Sequence, residues 1–282
     1  MRRYLAVGAI LAFAFGGLNT AEAQGRSGSG DSDPFSFHLG PIAEGTDIRI
    51  EVDSISTRGG PDPGNTDQAN HNIDYKARHV FAGFAMGIHL APPAIAGFEL
   101  DADFLLGSMS TALSENIHNM SVHEPGPGND EEHNTSLDEA DLAVGIQLRA
   151  WYRLHQVKQV RLWAGAEYQF ITGWAHFNDE RFFDDDIEGD YSFSRHRLTF
   201  FVGTRIGIIR PYLGFGFLIY DANLDVEEAD KADPDKWDAD FNAEDLIVVR
   251  LGAEVSSGPL AGRLDVYLLG EWGMGVSLVI KI

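Results

Sequence analysis

The sequence predicts an all-β fold, an up-and-down antiparallel β-barrel of about ten strands. Three observations lead to this prediction. Segments in which polar and apolar residues alternate recur along most of the chain, as expected for strands with two different faces. The connections between these segments are alternately long and short, which is typical of an up-and-down barrel. Helix-length runs with i, i+3, i+4 spacing and caps are nearly absent.

The N-terminus has the three parts of a secretory signal peptide. Arg2 and Arg3 precede an apolar stretch at 5–18, and Ala21-Glu22-Ala23 forms a small-x-small cleavage site. The apolar run is short for a membrane-spanning helix. We therefore expect residues 1–23 to be removed on export.

The remainder divides into a leader and one large domain. Residues 24–45 are rich in Gly, Ser, Asp and Pro, and we expect them to form a flexible leader. Residues 46–282 are expected to form the barrel. Since no other stretch is long and apolar enough for a spanning helix, export leads either to a soluble compartment or to a membrane that accepts barrels.

Composition excludes several classes of function. The chain has no cysteine, so it carries neither a disulfide framework nor thiol chemistry. Its 43 acidic residues outnumber its 21 lysines and arginines, which gives a formal charge of −22. This charge argues against nucleic acid as a partner, because phosphate binding needs a basic surface. No metal-ligand spacing is evident, and we expect no cofactor.

The alternation defines each strand in turn, and the stretch FELDADFLL shows it most clearly. There Glu99, Asp101 and Asp103 lie between apolar neighbours and share one face of a strand. The first five predicted strands cover 46–54, 75–90, 98–106, 142–154 and 160–170. The next three cover 197–208, 213–219 and 247–255. The tail 262–282 is too long for one spanning strand, so it is divided near Gly270–Gly273 into a ninth and a tenth. The longest acidic connection is predicted at about 221–245.

The character of the two faces indicates which one is inside. The polar face carries many glycines and four large aromatic residues, which suits a packed interior: Trp151, Trp163, Tyr212 and Tyr267. The apolar face is continuous and nearly free of charge, as lipid requires. Aromatic residues near strand ends on that face would form interfacial girdles: Phe98, Tyr152, Tyr168, Phe170 and Trp272. The sequence therefore predicts a transmembrane barrel.

With these features the chain resembles the bacterial outer-membrane β-barrel proteins of eight to ten strands. The resemblance covers nearly the whole mature chain, and it is one of architecture without a family-specific motif. It implies a monomer in the outer membrane of a Gram-negative cell, in contact with lipid and lipopolysaccharide and inserted by the barrel assembly machinery. Such barrels usually end in an aromatic residue, whereas this chain ends in Ile282.

The candidate site is a network of charged side chains on the lumen face. Because buried charges must be paired, arginines and carboxylates are expected to pair across the lumen. One interpretation is a structural network that fixes strand register and closes the lumen. The other is a narrow, porin-like passage in which rings of charge select small solutes. The predicted network comprises Arg49, Glu51, Glu99, Asp101, Asp103, Asp141, Arg149, Arg153, Arg161, Glu167, Arg197, Arg205, Arg250, Glu254, Arg263, Asp265 and Glu271.

Two alternatives remain open. Omptin proteases are ten-strand outer-membrane barrels in which an Asp pair faces an Asp–His pair at the extracellular rim, and Asp101-Ala102-Asp103 resembles half of such a site. The other half is missing, because the later loop offers His176 and Asp179 without the required spacing. A catalytic role is therefore not the favoured interpretation. The second alternative is a soluble periplasmic barrel that binds an apolar ligand inside.

Overall fold

The computed structural model describes residues 34–58, 73–117, 131–157, 160–179, 187–228 and 236–282. Within these ranges the regular structure consists of strands. None of the described residues forms a helix with the length and hydropathy needed to cross a membrane. The strands are β1 (Phe35–Arg58), β2 (Ile73–Leu90), β3 (Phe98–Ile117), β4 (Glu131–Val157), β5 (Val160–Asp179), β6 (Ile187–Ile206), β7 (Ile209–Glu228), β8 (Lys236–Ala243), β9 (Ile247–Ser257), β10 (Leu260–Leu268) and β11 (Glu271–Lys281).

Ten of these strands form a closed antiparallel barrel. Strands β1 to β7 pair in sequence order, β7 pairs with β9, and β9, β10 and β11 continue the sheet. Strand β11 then pairs with β1, from His38 opposite Lys281 to Ile48 opposite Glu271, and so closes the ring. The predicted fold class and strand number are thus confirmed, with one strand in addition.

The additional strand, β8, changes the barrel's cross-section. It pairs with the far end of β1 on one side and with the far end of β7 on the other. Strands β9, β10 and β11 are shorter than β1 to β7 and do not reach this level, so β8 takes their place in the wall. The join is held by two backbone hydrogen bonds, from Leu218 N–H to Leu246 O at 2.8 Å and from Glu244 N–H to Arg49 O at 3.0 Å. The wall therefore has ten strands at one end and eight at the other.

Two predicted boundaries need correction. Strand β1 begins at Phe35, so residues 35–45 are barrel wall rather than leader. Their alternation was hidden by Gly and Pro residues, which are uncommon within strands. The acidic connection at 221–245 is also largely strand, since it contains the end of β7 and all of β8. Residues 1–33, with the predicted signal peptide, lie outside the described residues.

The division of the C-terminal tail is confirmed. Strand β10 ends at Leu268 and β11 begins at Glu271. The two residues between them, Leu269 and Gly270, have positive φ angles of 65° and 61°. This left-handed turn reverses the chain at the level where β8 replaces the shorter strands.

The assignment of faces is confirmed over most of the wall. The four large aromatic residues predicted inside, Trp151, Trp163, Tyr212 and Tyr267, are all buried. The apolar residues predicted outside are exposed along the outer surface, among them Phe84, Val202, Leu213, Phe215 and Ile247. Each strand therefore presents alternate residues to the lumen and to the surroundings.

Candidate functional site in the barrel lumen

The lumen has two unlike ends. At the short-turn end, strands are joined by residues 91–97, 158–159, 207–208 and 258–259, and the first and last described residues lie there as well. At the opposite end, which we call the long-connection end, strands are joined by segments 59–72, 118–130, 180–186 and 229–235. Because alternate residues face inward, each strand contributes to several successive layers of the lumen.

The long-connection end is filled by a cluster that we call the apolar plug. Its members come from all eight strands of this section and are nearly inaccessible to solvent: Ile48, Ile50, Ala77, Phe81, Met109, Ala143, Ala175, Tyr191, Phe193, Leu218, Tyr220 and Phe241. A ring of eight strands leaves an interior just wide enough for side chains to fill. The plug therefore closes this end of the lumen.

The imidazole of His79 is an ionisable group surrounded by the apolar plug, against the rings of Phe193 and Tyr220. It lies at the level of the exposed ion pair between Asp47 and Arg78, where the outer surface changes from apolar to polar. Its Nε2 is 2.9 Å from the Tyr220 hydroxyl and its Nδ1 is 3.1 Å from Thr111 Oγ1. Burial, and secondarily the positive charge of Arg195, lower the pKa of His79 to about 3. The imidazole is therefore neutral at physiological pH.

Below the plug lies the upper charge cluster, which contains Glu44, Arg195, Arg197 and Glu271. Arg195 donates hydrogen bonds to both carboxylates, including one of 2.9 Å from Nη1 to Glu271 Oε1. Arg197 donates from Nε to Glu271 Oε2 at 2.8 Å and from Nη2 to Glu44 Oε1 at 3.1 Å. All four side chains are buried, and two positive charges balance two negative ones.

The middle charge cluster contains Glu167, Asp265, Arg149, Arg250 and Arg263. Arg250 donates to both oxygens of Asp265, and Arg263 Nε lies 2.9 Å from Asp265 Oδ2. Glu167 accepts hydrogen bonds from all three arginines, including one of 2.7 Å from Arg149 Nε. The middle charge cluster therefore has two carboxylates and three arginines, which leaves one positive charge in excess.

The lower charge cluster contains Glu99, Glu254, Arg205 and Arg210. Arg210 bridges the two carboxylates, with Nη2 at 2.6 Å from Glu99 Oε2 and Nη1 at 3.3 Å from Glu254 Oε2. Glu254 also accepts a 2.5 Å hydrogen bond from Arg149 Nη1, which links this cluster to the middle one. The upper and middle clusters meet at Tyr267, whose ring centroid lies 4.0 Å from Arg197 Cζ and 5.4 Å from Arg250 Cζ. We call the three stacked clusters the ionic layer.

Aromatic rings pack beside this layer, and lumen glycines make room for them. Trp151 stacks on Phe201 with ring centroids 5.4 Å apart, and Tyr212 meets both rings edge-on. A side chain at Gly252 would overlap the Tyr212 ring. The predicted role of the glycines, to admit large neighbours across a narrow lumen, has its physical basis in this contact.

A cavity of about 1280 Å³ opens at the short-turn end. Its charged lining comes from β3 to β7, β9, β10 and β11. Two Asp–His pairs stand in its wall: His89 Nδ1 lies 2.7 Å from Asp101 Oδ1, and His38 Nε2 contacts Asp103 Oδ1. Because the ionic layer and the apolar plug lie above it, the cavity is a vestibule with one mouth.

The structure brings together most of the predicted lumen charges. The three charge clusters contain Glu99, Arg149, Glu167, Arg197, Arg205, Arg250, Glu254, Arg263, Asp265 and Glu271. Asp101, Asp103, Arg153 and Arg161 line the vestibule. Asp141 belongs to β4, and its side chain is outside the part of the chain that the structure describes.

Arg49 and Glu51 are the exceptions, and their predicted orientation is corrected. Both are exposed on the outer surface, while their neighbours Ile48 and Ile50 are buried in the apolar plug. At this level the outer surface is polar and the interior is apolar. The rule that apolar residues face outward therefore reverses along a single strand.

Several residues of the site were missed by sequence reasoning. Glu44 and His38 lie in the range predicted as leader, and Arg210 lies in a predicted turn. Arg195 had a usable signal, since it lies two residues from Arg197 and therefore on the same face. His89 had the same kind of signal, because its neighbour Ile88 belongs to the apolar face.

Among the described side chains, no group of three or more His, Asp or Glu residues is arranged to hold a metal ion. The two Asp–His pairs therefore do not combine into a metal site. The lumen side chains pair charges with one another and, in the vestibule, present hydrogen-bond donors.

Comparisons with known proteins give likeness at the level of overall shape. No family model matches the chain, and no curated protein matches its sequence. Solved structures with some likeness include the outer membrane protease OmpT from Escherichia coli, with 11% identity, a TM-score of 0.47, and coverage of 88% of this chain and 96% of that one. The transport unit of the autotransporter AIDA-I from Escherichia coli has 11% identity and a TM-score of 0.41, with 96% of each chain covered. The P. putida toluene transporter TodX has 13% identity and a TM-score of 0.32, with 89% of each chain covered. At these values the likenesses lend no support to a shared activity.

Proposed function

We propose that the protein is an outer-membrane β-barrel with a sealed lumen and a structural role. The observation that carries the membrane assignment is the outer surface. Large apolar side chains lie open on it all around the wall, with exposed fractions of 58% for Phe84, 57% for Val202 and 61% for Phe215. Soluble monomers rarely expose continuous apolar surface of this extent, whereas a barrel in lipid requires it.

The location of the protein is tested by fractionation. After expression with its own N-terminus in a Gram-negative host, we expect the chain in the outer-membrane fraction of a density gradient. It should also show the heat-dependent gel mobility of a folded barrel. Recovery in the soluble periplasmic fraction would contradict the proposal and favour the soluble ligand-binding alternative, in which the apolar face would have to be inside.

The filled lumen supports a structural role over the passage of solutes. A solute that crossed the barrel would have to pass both the apolar plug and the ionic layer, in which Arg197, Arg250, Glu167 and Glu271 are at most 1% exposed. Opening this layer would separate buried charges from their partners, at several kcal/mol for each charge.

Conductance across a planar bilayer tests whether the lumen is sealed. The folded barrel, verified by its heat-shifted mobility, should give no stepwise current in salt solution. Stepwise currents from the same preparation would contradict the sealed lumen. Their ion selectivity would then identify the lumen charges that line the passage.

The protease alternative loses support from the position of the acid pair. Asp101 and Asp103 lie in the vestibule at the short-turn end and are paired with His89 and His38. An omptin-like site would require them at the opposite, extracellular rim. Cleavage of peptides by the wild type that disappears in Asp103→Asn would restore that alternative.

A further inference from the structure

We propose that the vestibule binds a small-molecule oxyanion, phosphorylated or carboxylated, through Arg153, Arg161 and Lys281. The binding site goes beyond the structural role proposed for the barrel. It does not depend on membrane residence, because it rests on the side chains of the cavity alone.

The charge balance of the vestibule carries the proposal. Its lining includes seven arginine and lysine side chains but four carboxylates, in a chain whose total charge is −22. Each of those carboxylates already has an arginine or histidine partner. By contrast, Arg153, Arg161 and Lys281 have no ion pair with any of the described side chains.

The position of Arg161 adds a second argument. It lies directly opposite Arg205 on the neighbouring strand, and like charges in directly opposite positions destabilise a sheet. Arg205 has only a weak partner in Glu99, because that carboxylate is 3.9 Å from Arg205 and 2.6 Å from Arg210. An anion between Arg161 and Arg205 would remove this repulsion.

Unsatisfied donors in the same cavity point to the same ligand. The side-chain nitrogens Gln147 Nε2, Trp163 Nε1 and Arg210 Nε are buried and have no hydrogen-bond partner among the residues that the structure describes. All three residues line the vestibule and are at most 5% exposed. Each buried donor left without an acceptor is costly, and each of these groups donates. A ligand rich in acceptor oxygens would satisfy them.

The size and walls of the vestibule indicate an organic anion rather than a lone inorganic ion. A volume of about 1280 Å³ is ample for a small metabolite, since ligand pockets commonly measure about 300–1,000 Å³. Apolar residues such as Ile42, Ala85 and Val279 line it together with the arginines. The expected ligand therefore combines phosphate or carboxylate groups with a less polar body.

Calorimetric titration tests the site with defined probes. The full protein, purified in a neutral maltoside detergent, is titrated with inorganic phosphate and with citrate at constant ionic strength, with chloride as the reference. We expect saturable binding of at least one of the two anions. Arg161→Gln and Arg153→Gln should each weaken the affinity for the anion about tenfold. A loss of this size is expected when one charge-assisted hydrogen bond is removed.

Matched controls separate binding from folding and from general charge effects. Arg49→Gln removes one exposed positive charge from the outer surface at the other end and should leave binding unchanged. All variants should keep the heat-shifted mobility of the wild type, because Arg153 and Arg161 form no ion pair with a described side chain. Absence of binding, or binding that is unaffected by Arg153→Gln and Arg161→Gln, would overturn the proposal.

A lipid arm distinguishes the two sources of a phosphate group. Short-chain phosphatidate is titrated into the maltoside micelles, first without the soluble anions and then in their presence. If phosphatidate competes with inorganic phosphate or citrate for one site, the result supports binding of the soluble anions in the vestibule. Binding of phosphatidate alone, without any response to phosphate or citrate, would overturn a small-molecule ligand and indicate a lipid headgroup instead.

Discussion

Arg250 on β9 and Asp265 on β10 form a two-pronged ion pair inside the barrel. Arg250 Nε lies 2.7 Å from Asp265 Oδ1, and Arg250 Nη2 lies 2.8 Å from Asp265 Oδ2. Both side chains are at most 1% exposed. The two residues are diagonal neighbours, since Gly252 stands directly opposite Asp265. The pair therefore depends on the register of β9 and β10 and in turn fixes it.

Removing one partner of this pair should destabilise the barrel strongly. In Asp265→Ala, Arg250 would keep its buried charge but lose its bidentate acceptor, at a cost of about 3–5 kcal/mol. The measurement is the temperature or denaturant concentration at which the heat-shifted gel mobility is lost. The exposed pair of Arg78 and Asp47 provides the control, because Asp47→Ala should cost about 1 kcal/mol or less. Equal effects of the two substitutions would contradict a stabilising role for the lumen network.

Gly252 should tolerate no side chain while Tyr212 is present. An added Cβ would overlap the Tyr212 ring, so Gly252→Ala should cost about 1–3 kcal/mol by overpacking. In the double variant with Tyr212→Ala, the combined loss should be smaller than the sum of the single losses. Gly45→Ala is the control, since no atom of the described part of the chain lies within 4 Å of its added Cβ. Strictly additive losses would show that the glycine is not needed for the ring.

The turn between β10 and β11 offers a separate test of the join at β8. Gly270 has a φ of 61°, and an added Cβ would lie 2.5 Å from Ile247 O and 2.9 Å from Asp245 O. Gly258 has a similar φ of 58°, but none of the described atoms lies within 4 Å of its added Cβ. Both alanine variants share the backbone strain of about 1 kcal/mol, so the additional loss in Gly270→Ala measures the steric contact. Protease cleavage at residues 244–246 should increase in Gly270→Ala alone.

The neutral state of His79 should make the protein less stable in mild acid. The pKa of His79 is about 3 in the folded protein and about 6.5 in an unfolded chain. The unfolded state therefore binds more protons as the pH falls below 6.5, and stability decreases from there toward pH 3. Between pH 7.5 and 5, the unfolding temperature of the wild type should fall more than that of His79→Gln. Parallel curves for the two proteins would contradict a buried neutral imidazole.

The faces of the strands could be predicted because their period of two continues without interruption over many residues. Phe215 and Tyr212 illustrate this, since three positions separate them and they therefore point to opposite faces. The prediction was wrong for Arg49 and Glu51 because the outer surface becomes polar above the apolar belt. The alternation continues there, but the apolar residues now face the lumen and the polar residues face outward.

Ion-pair partners could not be predicted from the sequence. Arg195 pairs with Glu44, which is 151 residues away, and this pairing exists because the barrel closes between β1 and β11. Closure and register are set by hydrogen bonds along whole strands. The sequence indicates the face on which each charge lies. It does not indicate how far two distant strands are shifted relative to each other along the barrel axis.

Strand β8 was missed for a different reason. Its sequence, KWDADFNA, carries three charged residues in eight and lies in an acidic segment. Its place in the wall comes from backbone hydrogen bonds to β1 and β7, which are independent of side-chain type. One inward side chain, Phe241, adds to the apolar plug.

The change from ten strands to eight gives the barrel a taper. Since the diameter of a barrel grows about linearly with strand number, the eight-strand section has about one-third less cross-sectional area than the ten-strand section. A molecule that fits through the wide mouth meets a wall that narrows by construction, before any side chain is counted. Even with every plug residue reduced to alanine, the barrel would remain a funnel whose throat is the eight-strand ring.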